Sequence, residues 1–254
     1  MGVLNVNAPV LRVEKVTKRF GELVALQSVN FELQRGQNQA IIGPNGAGKT
    51  TLFNVITGEF PPSEGRVWFQ GHDITGLPPY HIAQHGLARS FQLNNLFPDF
   101  TAYDNVWLAV QIRHPWRESM FRNTRRLPEL DEQVWRVLEQ VHLEAVAGQR
   151  ACELSYGDQR HLEIGLALAT QPQLLLLDEP TSGISPAETQ KTIELIQSIS
   201  KEVTLLLIEH DMDVVMSVAD RILVMHYGSV LAQGTPEQVE ANPEVQEAYL
   251  GDFR

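Results

Sequence analysis

Cysteine is nearly absent: Cys152 is the only one in 254 residues. One cysteine excludes an internal disulfide and a cysteine-rich zinc site, and it fits a reducing cytoplasm. Beside the apolar Ala151 it reads as a small buried side chain rather than a nucleophile. Long hydrophobic runs are missing as well. The longest are Leu174–Leu177 and Val203–Ile208, far short of the roughly 18–20 residues that a membrane helix needs. Met1–Asn7 has no basic region ahead of an apolar segment, so no secretory signal is expected. Positive charge is scarce, with 20 Lys and Arg against 31 Asp and Glu and a net charge of -11. That balance argues against nonspecific nucleic-acid binding. What remains is ordinary globular composition, 43% hydrophobic and 20% charged, enough chain for one large core.

Against that background one run stands out: Gly43-Pro44-Asn45-Gly46-Ala47-Gly48-Lys49-Thr50, followed by Thr51. A strand-like stretch, Gln39–Ile42, precedes it and a helix-like one, Thr51–Ile56, follows. This is the P-loop pattern G-x-x-x-x-G-K-[ST] in the context it requires. Its glycines let successive backbone N–H groups curl round phosphate oxygens at the positive end of the next helix. Lys49 supplies charge to the terminal phosphates and Thr50 a hydroxyl to magnesium. The chain is expected to bind a nucleoside triphosphate at one site.

The surrounding pattern is α/β. Leu11–Val16, Val24–Leu33, Gln39–Ile42 and Arg66–Phe69 read as strands punctuated by glycine. Helical periodicity takes over from about 91 to 170, as in Ala102–Ile112, Asp131–Val141 and Gly157–Ala169. Strands return at Leu174–Leu177, Thr204–Ile208 and Arg221–Met225; the first two are continuous apolar runs suited to parallel strands buried on both faces. Ser185-Pro186-Ala187-Glu188 and Thr235-Pro236-Glu237-Gln238 are helix starts with capping boxes. The expected organisation is a single domain over 1–254. Its core spans 1–90 and 156–235, a helical subdomain is inserted at 91–155, and a helical tail covers 236–254.

Three further segments carry chemistry. Leu174–Leu177 ends in Asp178-Glu179, which looks like a Walker B motif. Asp178 is suited to holding magnesium through water, and Glu179 to orienting or deprotonating an attacking water. Leu154-Ser155-Tyr156-Gly157-Asp158 resembles the LSGGQ signature of ATP-binding-cassette (ABC) ATPases. There a hydroxyl and backbone N–H groups at a helix start meet a γ-phosphate; Ser155 as a plain helix cap is the second reading, and the two are compatible. Glu209-His210-Asp211 follows the next strand, where that family carries its switch histidine. Gln92 matches the family's Q-loop glutamine, a contact of magnesium and water. Phe20 matches the aromatic residue stacked on adenine, with packing at a strand end as its other reading.

The resemblance runs from about Leu11 to the C-terminus with its motifs in family order. It implies an α/β P-loop NTPase fold of ABC type, with a mixed parallel core, an N-terminal antiparallel β part and the inserted helical subdomain. It also implies hydrolysis of ATP with Mg2+ and a head-to-tail dimer, homomeric or with a sibling ATPase. Two ATP molecules are then held between the P-loop of one subunit and the Ser155-Tyr156-Gly157 signature of the other. Further implied are a membrane permease gripped by the helical insertion, an extracytoplasmic solute-binding protein acting indirectly, no nucleic acid, and a bacterial location on the cytoplasmic face of the inner membrane.

Tyr156, Asp158 and Ser185 depart from the family pattern; Ser155 and Gly157 do not. Gly86–Gln92, Leu96-Phe97, Thr101–Val106 and the ending Gly234–Glu237 with Asn242–Gly251 resemble one branch, the ATP-binding subunits of branched-chain amino acid importers. Urea and short-amide importers are close to it, and lipopolysaccharide-export ATPases share part of it. A soluble ABC protein acting on nucleic acid or ribosomes would carry two cassettes or coiled-coil arms, and a GTPase an Asn-Lys-x-Asp motif; neither is present. Arg113, Arg117, Arg122, Arg125 and Arg126 form a basic run, read as a solvated face or as a contact near the permease or anionic lipid.

Overall fold

The structure, a computed structural model, describes residues 8–90, 96–112 and 128–251. Gln92 and the arginine run at 113–126 lie outside the described residues. The elements in chain order are β1 (Leu11–Phe20), β2 (Leu23–Leu33), β3 (Asn38–Ile42), α1 (Lys49–Ile56), β4 (Glu64–Phe69), β5 (His72–Asp73), α2 (Pro79–Gln84) and β6 (Leu87–Ser90). They continue with α3 (Ala102–Gln111), α4 (Pro128–Gln140), α5 (Tyr156–Ala169), β7 (Leu174–Asp178), α6 (Pro186–Ile199), β8 (Thr204–Ile208) and α7 (Met212–Val218). The chain closes with β9 (Arg221–His226), β10 (Ser229–Gly234), α8 (Pro236–Glu240) and α9 (Pro243–Gly251).

Two sheets form. The six-stranded sheet runs β10-β9-β3-β8-β7-β6, parallel except for the β10–β9 hairpin. Ala40–Ile42 of β3, Leu174–Leu177 of β7 and Leu205–Ile208 of β8 are apolar runs because both faces are covered. Leu174, Leu176, Leu206 and Ile208 face one cluster with Leu52, Phe53 and Ile56 of α1. Leu175, Leu177, Leu205 and Leu207 face the other, with Ile193, Leu195 and Ile196 of α6. That second cluster continues without a break through Leu162 and Ile164 of α5 into Val106 of α3 and Val134 of α4. The four-stranded sheet, β2-β1-β4-β5, is antiparallel. The mixed parallel core with an antiparallel N-terminal part is therefore as expected.

The P-loop leaves the carboxyl end of β3, and Asp178 ends β7 one strand beyond β8. Ligands of open parallel sheets bind at this edge. Two expectations need correction. β1 runs to Phe20 rather than stopping at Val16, because register shifts between Val13 and Val16 and between Val16 and Lys18 bend the strand without ending it. Cys152 is exposed, not buried; it lies in a single 3-10 turn, Ala151–Glu153, of which only Ala151 is buried.

Candidate active site

Two of the P-loop glycines, Gly43 and Gly48, leave no room for a side chain. Gly43 has φ +149°, and a Cβ there would lie 2.2 Å from the Met225 carbonyl oxygen of β9. Gly48 has φ +100°, and its Cβ would lie 2.7 Å from the Ala25 carbonyl oxygen. Gly48 is also the N-cap of α1 and brings no side-chain cap, nor is any acid present in the first turn. The orphan N–H groups and the positive helix end are left for an anion. Lys49 Nζ donates to the Gly43 and Pro44 carbonyl oxygens at 2.6 and 3.0 Å. Burial pulls its ammonium below the usual lysine range, and the Glu179 and Asp178 carboxylates partly offset that.

A cavity of about 450 Å³ opens over this loop. Phe20, Asn45, Gly46, Ala47, Gly48, Lys49, Thr50, Thr51 and Glu179 line it together with Leu23, Val24, Ala25, Tyr227 and Gly228. The structure thus brings an exposed aromatic ring, the phosphate-binding loop and one carboxylate to a common space. Phe20 also packs edge-on against Phe60, ring centroids 5.5 Å apart, with Lys18 Nζ 5.0 Å over its face. Tyr227 was not picked out by sequence reading. It is 81% exposed and has φ +43°, an unusual backbone for a bulky residue.

Asp178 and Glu179 diverge at the end of β7. Asp178 is 1% exposed; its Oδ2 accepts from Arg89 Nη2 at 2.5 Å, while its Oδ1 is buried without a hydrogen-bond partner among the described residues. An orphaned carboxylate oxygen is where a magnesium-bound water fits. Among the described residues no group of three His, Cys, Asp or Glu could hold a metal, so Asp178 and Thr50 are the side chains described here that would serve Mg2+, with phosphate oxygens and water completing its shell. Glu179 turns toward the cavity with φ +47°. His210 Nδ1 lies 4.0 Å from Glu179 Oε1 and 3.9 Å from Glu209 Oε2. Glu209 is fully buried and accepts from Thr181 N at 3.0 Å, Thr181 Oγ1 at 2.6 Å and His210 N at 3.1 Å. It ties the loop after β7 to the loop after β8, a role that its place in the sequence did not reveal.

Ser155, Tyr156 and Gly157 do not line this cavity. They start α5, where Ser155 Oγ accepts from Asp158 N at 3.1 Å. Glu188 of α6 binds the same turn: its Oε1 accepts from Gly157 N at 3.3 Å and its Oε2 from Ser185 N and Ser185 Oγ at 2.9 and 2.7 Å. Those bonds, Ser185's first, hold the Glu188 carboxyl below the usual range. Ser185 keeps its capping box despite departing from the family residue.

A second, largely apolar cavity of about 570 Å³ lies between α2, α3 and α5. Tyr80, Ile82, Phe97, Leu108, Ile112 and Leu166 line it, and Arg89 and Glu163 reach it from the catalytic side.

The family model described as ABC transporter matches residues 26–182, and one for branched-chain amino acid ATP-binding cassette transporters matches 229–253. The chain is 44% identical to the high-affinity branched-chain amino acid transport ATP-binding protein BraF of Pseudomonas aeruginosa, over 96% of this chain and 98% of that one. It is 41% identical to LivG of Escherichia coli K12, which carries the same description, with the same coverage. Among solved structures, the ADP conformation of MJ1267, an ATP-binding cassette of an ABC transporter, superposes with TM-score 0.85 at 34% identity, covering 96% of this chain and 99% of that one. The dimeric post-hydrolysis cassette MJ0796 bound to ADP and phosphate gives 0.76 at 26% identity, covering 89% and 98%. A P-loop, paired carboxylates and a following histidine on this sheet, with those likenesses along the chain, make it a member of the ABC transporter family, an ATP-binding cassette with ATPase function.

Proposed function

We propose that this chain powers import of branched-chain amino acids, hydrolysing ATP while docked on a separate permease. The observation that carries the reading is the convergence of Lys49, Thr50 and Glu179 on one cavity, with Asp178 Oδ1 left open beside it. Phe20 stacks on adenine, and the α1 end with Lys49 holds the β- and γ-phosphates. Mg2+ held by Thr50 and, through water, by Asp178 would supply neutralisation of phosphate charge. Glu179 holds and takes a proton from the attacking water, and His210 keeps Glu179 and the γ-phosphate region in register.

Ser155 and Gly157 serve a neighbouring subunit's nucleotide, so ATP closes a dimer. Support comes from their not lining the chain's own cavity and from the dimeric form of the MJ0796 cassette. The apolar groove with exposed Tyr80, Phe97 and Ile112 receives the permease at the cytoplasmic face of the membrane, and residues 91–155 act as the subdomain that grips it. The solute class rests on the BraF and LivG likenesses and on the C-terminal match.

The test is reconstitution with the co-isolated permease and binding protein. ATP turnover and uptake of radiolabelled leucine, isoleucine and valine are expected together. Absence of ATP hydrolysis with and without the permease sinks the ATPase reading. Uptake of urea or a short amide instead moves the chain to the neighbouring branch.

A further inference from the structure

Arg160 stands on α5 five residues after its Ser155 cap, and its side chain is 6% exposed. Its guanidinium meets three consecutive carbonyls, the last of β7 and the first two of the loop after it. Nη2 donates to Asp178 O at 2.5 Å and to Glu179 O at 2.8 Å, and Nε donates to Pro180 O at 3.3 Å. Nη1 donates to Glu163 Oε2 at 2.8 Å, one helical turn along. The planar fork suits this: rigid donors in several directions reach acceptors that a single ammonium cannot reach together.

The backbone it grips is strained. Glu179 has φ +47°, a conformation costing about 1–3 kcal/mol for a non-glycine residue, which persists only where its surroundings over-determine it. Glu179 N donates to Ile208 O at 2.9 Å and Ser182 N to Glu179 O at 3.1 Å. Those two bonds tie the residue to β8 and close the turn after it. Arg160 adds the hold from the helix side. Glu163 is nearly buried, 11% exposed at its side chain, and gives the arginine a fixed counter-charge, so the fork has one orientation.

We infer that Arg160 is a positioning residue for the reaction: it fixes the strained backbone that aims the Glu179 carboxylate, and Glu163 orients it. The inference rests on the water-activating role given to Glu179 above. The same hydrogen bonds link α5, the helix that starts with Ser155 as its cap, to the backbone of Glu179.

The experiment uses the purified full chain with Mg-ATP and three variants. Arg160→Lys keeps charge but loses the fork, Glu163→Gln keeps an acceptor but loses the counter-charge, and Glu179→Gln is the control. Arg160→Lys is expected to bind a fluorescent ATP analogue within twofold of wild type and to lose at least tenfold in kcat. Amide exchange should quicken at Glu179, Thr181 and Ser182 while α5 amides beyond 161 stay protected. Glu163→Gln is expected to lose severalfold in kcat in the same pattern.

A wild-type kcat in Arg160→Lys overturns the positioning role. So does a kcat loss matched by equal weakening of nucleotide binding, or by loss of protection along α5, since each marks general damage. Normal turnover in Glu179→Gln removes the reading on which the inference rests. An inactive Glu179→Gln beside a fully active Arg160→Lys removes only the inference.

Discussion

Arg89 Nη2 sits 2.5 Å from Asp178 Oδ2, between side chains only 8% and 1% exposed. The same guanidinium donates to Asn54 Oδ1 at 2.6 Å and lies 5.6 Å from the centre of the Phe53 ring. A charge pair this deep is held at a desolvation cost, and removing one partner strands the other. Arg89→Met is therefore expected to destabilise the fold by about 3 kcal/mol, within the 3–5 kcal/mol typical of broken buried pairs. Adding Asp178→Asn, which removes the stranded charge, should recover part of that loss. Urea denaturation of the single and double variants measures the coupling. Simple addition of the two losses would mean the pair is not interacting.

The P-loop glycines separate into two kinds, and that difference is testable. At Gly43 an added Cβ would meet backbone, the Met225 carbonyl oxygen at 2.2 Å, whereas at Gly46 it would meet nothing within 4 Å. Gly43→Ala must push β9 away from β3 and is expected to cost several kcal/mol, at least the ~1–3 kcal/mol assigned to overpacking. Gly46→Ala carries only the penalty of its φ of +80°, about 1 kcal/mol. Thermal denaturation should rank them in that order, and the reverse order would contradict the loop geometry.

Features that depend on neighbours in sequence were legible before the fold was known. The P-loop, the capping boxes at Ser185 and Thr235 and the buried β7 and β8 runs are all local patterns. α2 was not, because it is only six residues long and starts without a side-chain cap, although proline suits a first helical position. β6 was hidden too: Leu87–Ser90 is short and half-buried, lying at the sheet edge. The partners of Asp178 and Glu179 are invisible in sequence for another reason. Arg89 is 89 residues from Asp178, and Arg160 grips carbonyls, which every residue carries. Motifs announce the groups that touch substrate; the groups that hold those in place appear only with the fold.

His161 gives stability a dependence on pH. It is buried on α5, its Nε2 3.1 Å from the Thr192 hydroxyl, and burial pushes its pKa below the usual histidine value, against a smaller opposing pull from Asp158. The folded state thus binds this proton less readily than the unfolded chain. The contribution is complete above the unfolded value, about 6.5, and is lost as pH falls through the lowered folded value. Wild type is expected to lose more stability than His161→Gln between pH 7.5 and 5.5. Guanidinium denaturation at each pH measures the difference, and parallel curves would show that His161 does not carry it.

Ser155 has two roles on offer, and a pair of substitutions divides them. As the N-cap of α5 it accepts from Asp158 N, a bond whose loss to alanine costs about 1 kcal/mol. As a phosphate ligand for a second subunit it contributes a hydroxyl at the helix's positive end. Asparagine caps as well as serine but puts a bulkier amide where the phosphate oxygen must arrive. In a Glu179→Gln background, where ATP should accumulate without turnover, Ser155→Ala is expected to lose both stability and ATP-driven dimerisation. Ser155→Asn should regain the stability and still fail to dimerise. Light scattering behind size-exclusion chromatography, with and without Mg-ATP, reads the second effect, and denaturation the first. If dimerisation returns with the cap in Ser155→Asn, capping alone explains this residue, and contact of its hydroxyl with a neighbour's nucleotide is ruled out.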